Sequence, residues 1–284
     1  MVIVHTSTAE VIRERSGEKS TVGFVPTMGN LHQGHLSLLR EALKHDPVVY
    51  FSIFVNPKQF GPSEDFNKYP RTLEDDLSLI RTVEKEFPSS KIVVYAPASP
   101  EEVYPPGYNQ RVDVTGLSER LEGANRPGHF EGVATVVYRL FEIVKPREAF
   151  FGLKDYQQYL VIRQMALDLS LPLKVTGMPI IRDHDGLALS SRNQYLNAEE
   201  RVEALTLSRT LKKVKEALDG KKMNLPLAQK IIQETLKDPR WNYLELLDGH
   251  SLSRDLSESG LVSLLGVFQL RTTRLLDNIQ MELK

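Results

Sequence analysis

The segment "PTMGNLHQGH", Pro26 to His35, sets His32 and His35 three residues apart behind Gly29 and Gly34, just before an apolar-periodic run. On a helix, positions i and i+3 share a face, and two imidazoles there can both donate to phosphate oxygens. The N–H groups of a first helical turn and the positive end of the helix dipole favour the same anion. Two other readings stand beside this one. A metal pair would need a third ligand, and no HExxH spacing supplies it. Plain loop and cap residues would need no ligand at all.

Other groups suited to phosphate occur far along the chain. "GLKDYQQ", Gly152 to Gln158, carries Lys154, and "LALSSRN", Leu187 to Asn193, carries Ser190, Ser191 and Arg192 in succession. Two hydroxyls and a forked guanidinium match phosphate geometry. Alone, Lys154 reads equally as a solvated lysine and the Ser-Ser-Arg run as an ordinary loop. Neither a Walker A pattern nor GxGxxG is present, so the common glycine-rich phosphate cradles are missing. Cysteine is absent, which removes disulfides, thiolate metal sites and thiol nucleophiles.

Elements must exist to position these groups. Val22–Val25 reads as a short buried strand and His35–Leu43 as a helix with Leu36, Leu39 and Leu43 on one face. "VVYFSIFV", Val48–Val55, is apolar on both alternating faces, the pattern of a buried parallel strand closed by Asn56 and Pro57. Helical spacing over Leu73–Phe87, a strand from Lys91, a helix over Gly132–Val144, the strand "EAFF" and a helix over Asp155–Leu169 continue the alternation. This predicts a doubly wound, Rossmann-like parallel α/β sheet whose ligands sit beyond the strands' carboxyl ends. After Thr176 the pattern changes. "MPIIRDHDGLALSSRN" predicts two short extended pieces around a turn at Asp183–Gly186. Asn197 and Glu200 predict the cap of a long helix to about Leu218. A helix over Leu225–Leu236 and three strands, "WNYLELLD", "GLVSLLGVFQL" and "TRLLDNIQMEL", complete a small α+β unit. The expected division is a domain over 1–177 and a smaller C-terminal α+β domain over 178–284.

The 284 residues are 41% hydrophobic and 26% charged with a net charge of −1, a globular composition with no basic footprint for nucleic acid. The N-terminal apolar run is too short for a signal peptide, and no window reaches the ~18 apolar residues of a membrane span. A cytoplasmic protein without nucleic-acid or membrane partners is expected.

Taken together, "PTMGNLHQGH", "FVNPKQFGPSEDFNKYPRT", "EGANRPGHFEGVATVV", "GLKDYQQ" and "GLALSSRN", in this order and spacing, resemble the pantothenate synthetase family over about residues 20–200, and more loosely to "TRLLDN" near the C-terminus. HxGH is also that family's version of the HIGH sequence of nucleotidyl-transferring α/β enzymes. The resemblance implies a two-step ligase. ATP and pantoate give pantoyl adenylate and pyrophosphate, and β-alanine then displaces AMP.

It further implies that Met28, Gly29, Asn30, Leu31, His32, Gln33, Gly34 and His35 bind ATP, with His32, His35 and Lys154 catalytic. Gly152, Leu153, Lys154, Asp155, Ile181, Leu189, Ser190, Ser191 and Arg192 complete the nucleotide site, and Gln59 and Gln158 hold pantoate. Magnesium is expected with ATP, with Asp75 and Asp76 as its protein neighbours; an acidic solvent face beside Glu74 is the competing account. "GPSEDFN", Gly61–Asn67, has the composition of a lid and equally of a surface loop. A homodimer is the family expectation. Two departures are visible: Leu153 precedes the lysine where many members carry a polar residue, and Arg271 stands where glycine is frequent.

Two other functions suit the same motifs. One is a nucleotidyltransferase that stops at an AMP ester, disfavoured because a phosphate acceptor calls for basic residues where Gln59 and Gln158 stand. The other is a nonenzymatic adenine-nucleotide sensor, for which two histidines and a lysine aimed at phosphates would be excessive.

Overall fold

The computed structural model describes residues 1–62, 64, 66–218, 224–256 and 260–282, and the chain divides into two compact units. The first comprises Met1–Leu153 and Gln157–Pro179, and the second Lys154–Tyr156 and Ile180–Lys284.

In the first unit six strands form one parallel sheet: β1 (Val2–His5), β2 (Val22–Thr27), β3 (Val48–Ile53), β4 (Lys91–Tyr95), β5 (Glu148–Gly152) and β6 (Lys174–Met178). Their spatial order is β1-β4-β3-β2-β5-β6. From β2 onward, chain order runs outward in both directions, so the topological switch lies between β2 and β5. Phe24 of β2 pairs with Tyr50 of β3 on one side and with Ala149 of β5 on the other.

Both sheet faces are covered, which is why β3 reads as an unbroken apolar run. One face packs on α1 (Thr8–Gly17), α6 (His129–Val144) and α7 (Tyr156–Asp168), through Val11, Val133, Val137, Leu140, Val161 and Met165. The other packs on α2 (Gln33–His45) and α3 (Leu73–Glu86), through Leu36, Leu39, Leu43, Leu77 and Ile80. Burying each such leucine or valine contributes about 1.5–3 kcal/mol. Short helices α4 (Pro100–Val103) and α5 (Glu122–Asn125) lie in the connection from β4 to α6.

The second unit packs α8 (Ala198–Leu218) and α9 (Leu225–Thr235) on an antiparallel sheet of β7 (Trp241–Asp248), β8 (Leu261–Leu270) and β9 (Thr273–Glu282). Asn197 accepts the Glu200 N–H at 2.9 Å while Glu200 accepts the Asn197 N–H at 3.0 Å, the reciprocal cap its sequence announces. Leu270 pairs with Thr273, so Arg271 and Thr272 form a two-residue hairpin turn. Arg271 takes φ 50°, the left-handed conformation that glycine adopts without steric cost, and its guanidinium meets Glu200 at 3.2 Å.

The alternation and the C-terminal elements follow the sequence reading to within a few residues. The strands β1 and β6 and the helix α1 escaped it, as did the single-turn α4 and α5. β1 is four residues long, and β6, Lys174–Met178, contains Gly177 and no long apolar run. Each of these strands exists because a neighbouring strand offers a free edge, Val2–His5 on β4 and Lys174–Met178 on β5.

Candidate active site

At the carboxyl end of β2 the chain turns through Gly29 at φ 82° and Asn30 at φ 51°, then enters α2 with His32 as its N-cap. The helix starts at Gln33, two residues before the position its apolar spacing predicts, because a histidine side chain replaces the usual Ser, Thr or Asp cap. His32 Nδ1 accepts the Gly34 N–H at 3.1 Å, and His35 Nδ1 accepts the His32 N–H at 3.3 Å. The rings lie 4.1 Å apart between centroids and 35° from parallel. A ring nitrogen that accepts a backbone N–H carries no proton, so each neutral imidazole holds its proton on Nε2, as a donor.

The turn is braced from α3. Asp76, 2% exposed, accepts the N–H groups of Asn30 at 3.0 Å and Leu31 at 2.8 Å on separate oxygens, and the Thr72 hydroxyl at 3.3 Å. Burial pushes its carboxyl above the usual range, against these three hydrogen bonds. A Cβ on Gly29 would stand 3.0 Å from Asp76 Oδ2, and its φ already disfavours a side chain. Asp75 is exposed in the first turn of α3 with Glu74, where the helix dipole favours acids. The pair therefore does not fit the magnesium site expected of it: one carboxylate is committed to backbone amides, and the other has a sufficient account in the helix end. Among the described residues no cluster of three or more His, Cys, Asp or Glu side chains could hold a metal ion.

Gln59 joins this neighbourhood. It is buried in a short 3-10 turn, Pro57–Gln59, and its Nε2 lies 3.1 Å from Met28 Sδ. Gly132 of α6 packs directly on that turn, since a Cβ there would fall 2.2 Å from the Lys58 carbonyl oxygen. Asn56, buried and capping the turn, donates to Gln59 Oε1 at 3.1 Å. The Asn-Pro sequence announces the turn; nothing local announces the buried amide. Of the adjacent glutamines on α7, Gln157 is buried and bonded to the backbone of Leu117, Arg120 and Glu122, while Gln158 is half-buried. Gly152 ends β5, beside the switch point, and Leu153 packs over Gly177.

Val133, Val136 and Val137 belong to the core. In the expected lid segment, Ser63 and Asp65 lie outside the described residues; Glu64 makes a two-pronged ion pair with Arg126, both contacts at 2.6 Å.

In the second unit Lys154, Ser190 and Arg192 line one cavity together with Arg274 and Asp277. The loop that carries them is built in steps. Leu189 N–H donates to Ile181 O at 2.9 Å and Asp183 N–H to Leu187 O at 2.8 Å, giving the two extended pieces around the Asp183–Gly186 turn. Ser190 Oγ accepts the Arg192 N–H at 3.3 Å and starts the 3-10 turn Ser191–Tyr195. Arg182 anchors the hairpin to β9 through two hydrogen bonds to the buried Asp277, at 2.6 and 2.9 Å. Asn278 donates to the Lys154 carbonyl at 2.7 Å, and Lys154 Nζ lies 3.6 Å from Asp155. "TRLLDN" thus supplies both anchors of the cavity's loops, a role that its strand-like pattern does not reveal.

Known proteins resemble this chain throughout its length. The profile of the Pantoate-beta-alanine ligase family matches residues 2–280. The pantothenate synthetase of Thermosipho africanus is 44% identical, covering 95% of each chain. That of Roseiflexus castenholzii is 47% identical, covering 94% of this chain and 95% of its own. The crystal structure of the Thermus thermophilus pantothenate synthetase superposes with a TM-score of 0.89 at 42% identity, covering 98% of this chain and 99% of that one. A Francisella tularensis pantoate-beta-alanine ligase complexed with beta-gamma ATP and beta-alanine gives 0.73 at 29% identity, covering 98% and 97%.

Proposed function

The chain belongs to the pantoate-beta-alanine ligase family, and from that premise we propose that it condenses pantoate with β-alanine through a pantoyl adenylate. A pantoate carboxylate oxygen bonds to the α-phosphorus of ATP as the bond to pyrophosphate breaks. The neutral amine of β-alanine then bonds to the acyl carbon, AMP leaves with the electrons of the acyl C–O bond, and the amine loses a proton to solvent.

The observation that carries this reading is the double histidine cap on α2. Two backbone N–H groups hold the rings so that Nε2–H of each is the donor, at a helix end already favourable to anions. We assign His32, His35 and Lys154 to the charge that builds on phosphate oxygens in the transition state. Met28–Gln33 and Gly34 contribute backbone to the nucleotide, as do Gly152, Leu153, Asp155, Ile181 and Leu189; Ser190, Ser191 and Arg192 contribute side chains. Gln59 and Gln158 hold pantoate. Neutral amides orient a carboxylate and leave its electron density available, whereas an arginine fork would bind it and blunt its attack. Magnesium accompanies ATP on its phosphates; no step is assigned to a metal held by Asp75 or Asp76. The reading extends to a lid-like role for the C-terminal domain and to a cytoplasmic homodimer, whose assembly sedimentation analysis of the purified chain checks.

The test is pyrophosphate exchange into ATP, with and without pantoate, followed by addition of β-alanine. Exchange that requires pantoate, with AMP released only after the amine arrives, is the expected result. ADP as product or exchange independent of pantoate would overturn the proposal, and an AMP ester that survives β-alanine would point to a nucleotidyltransferase.

A further inference from the structure

The two ends of the Gln59 amide differ chemically, and the end that meets an acid substrate decides whether the contact attracts or repels. The orientation follows from fixed groups. Asn56 is 1% exposed; its Oδ1 accepts the Lys58 backbone N–H at 3.2 Å and its Nδ2 donates to the Gly132 carbonyl at 3.1 Å. Backbone N–H and C=O cannot exchange roles, so the Asn56 amide has one orientation. Its nitrogen also reaches Gln59 Oε1 at 3.1 Å, which makes oxygen the inward end of Gln59 and nitrogen the end beside Met28. Thioether sulfur is a weak acceptor and engages at most one of the two N–H donors.

Tyr104 completes the arrangement from the β4–α6 connection. Its hydroxyl donates to Asn56 Oδ1 at 2.8 Å. The ring is held by the Lys58 ammonium, 4.2 Å from its centroid, and by the Phe54 ring at 6.1 Å. Burial raises the phenol's pKa, so it remains a donor at ordinary pH.

We propose that Tyr104 is a positioning residue for the acid substrate: as the second donor on Asn56 Oδ1 it holds in place an amide whose sense the backbone sets, and through Asn56 it keeps the Gln59 N–H donors directed at the pantoate carboxylate. This rests on the assignment of Gln59 to pantoate. The Tyr104 hydroxyl is directed at Asn56, so its effect passes through Gln59.

The experiment measures pantoate-dependent pyrophosphate exchange by the full chain and its variants, with thermal melts alongside. For Tyr104→Phe, which keeps the ring, the KM for pantoate rises about fivefold, as for the loss of one hydrogen bond, and the KM for ATP is unchanged. In a Gln59→Ala background the same substitution changes the pantoate KM less than about twofold, since coupled residues are not additive. Asn56→Asp reverses the polarity: Gln59 turns its nitrogen inward, its oxygen meets the acid, and the pantoate KM rises more than for Tyr104→Phe. Equal effects of Tyr104→Phe in both backgrounds, or a parallel rise in the ATP KM, would refute the positioning role. Absence of pantoate-dependent exchange in the unaltered chain would instead remove the substrate assignment, and the proposal with it.

Discussion

The imidazoles of His32 and His35 stack 4.1 Å apart, and the backbone N–H of His32 is itself the group that holds His35 Nδ1. Cap and donor are one structure, so the two can be separated by substitution. Asn at position 32 retains a capping oxygen and lacks Nε2–H. His32→Asn is expected to melt close to the unaltered chain while turnover falls by on the order of 100-fold. His32→Ala is expected to lose about 1 kcal/mol of stability as well. Equal melting losses in both variants would show that the cap is not what His32 contributes to folding.

Asp76 is expected to behave as a brace. Asp76→Asn turns an amide nitrogen toward the N–H of Asn30 or Leu31, leaving a buried donor unsatisfied at a cost of about 1–3 kcal/mol. The KM for ATP should rise at every magnesium concentration. If excess magnesium restored it, Asp76 would be a metal ligand after all.

Gln59→Arg tests the argument for neutral amides. Pantoate binding is expected to hold or tighten while adenylation slows, read from single-turnover formation of pantoyl adenylate. Fast adenylation under the arginine clamp would contradict the argument.

Stability should fall in acid through Glu148, buried at the start of β5. Burial pushes its carboxyl up, but hydrogen bonds from Thr176, Lys174 and His45 more than reverse this, leaving it at about 2. The folded value lies below the unfolded one of about 4.3. Its stabilisation is therefore complete above that unfolded value and is lost as pH falls toward about 2. Glu148→Gln is expected to melt lower than the unaltered chain at pH 7, with the gap closing as pH falls from about 5 to about 2. A gap of constant size across that range would assign acid sensitivity elsewhere.

The alternation of strands and helices was legible because the forces that set it are local. Val48–Ile53 is apolar on both faces, Leu36, Leu39 and Leu43 recur at helical spacing, and Asn197 with Glu200 marks a helix start. The same locality made Pro26–His35 readable as a strand end, a glycine turn and a helix N-terminus, whereas Arg271, at φ 50°, stands out in the sequence only through the family resemblance, as a residue where glycine is frequent. β1 and β6 were not legible, since short strands exist by the edge that receives them.

What tertiary structure alone decided are the partners of polar groups. Asp76 reads as one acid among three until the Asn30 and Leu31 amides, 46 and 45 residues away, fall on its oxygens. Gln59 can face either way until Asn56, Gly132 and Tyr104 meet around it. Asp277 looks like a surface residue of a strand until Arg182 arrives from 95 residues upstream. Sequence determines which residues can donate and accept, because that is a property of each side chain. Packing determines who receives, because a buried hydrogen bond needs both partners brought within about 3 Å with water excluded.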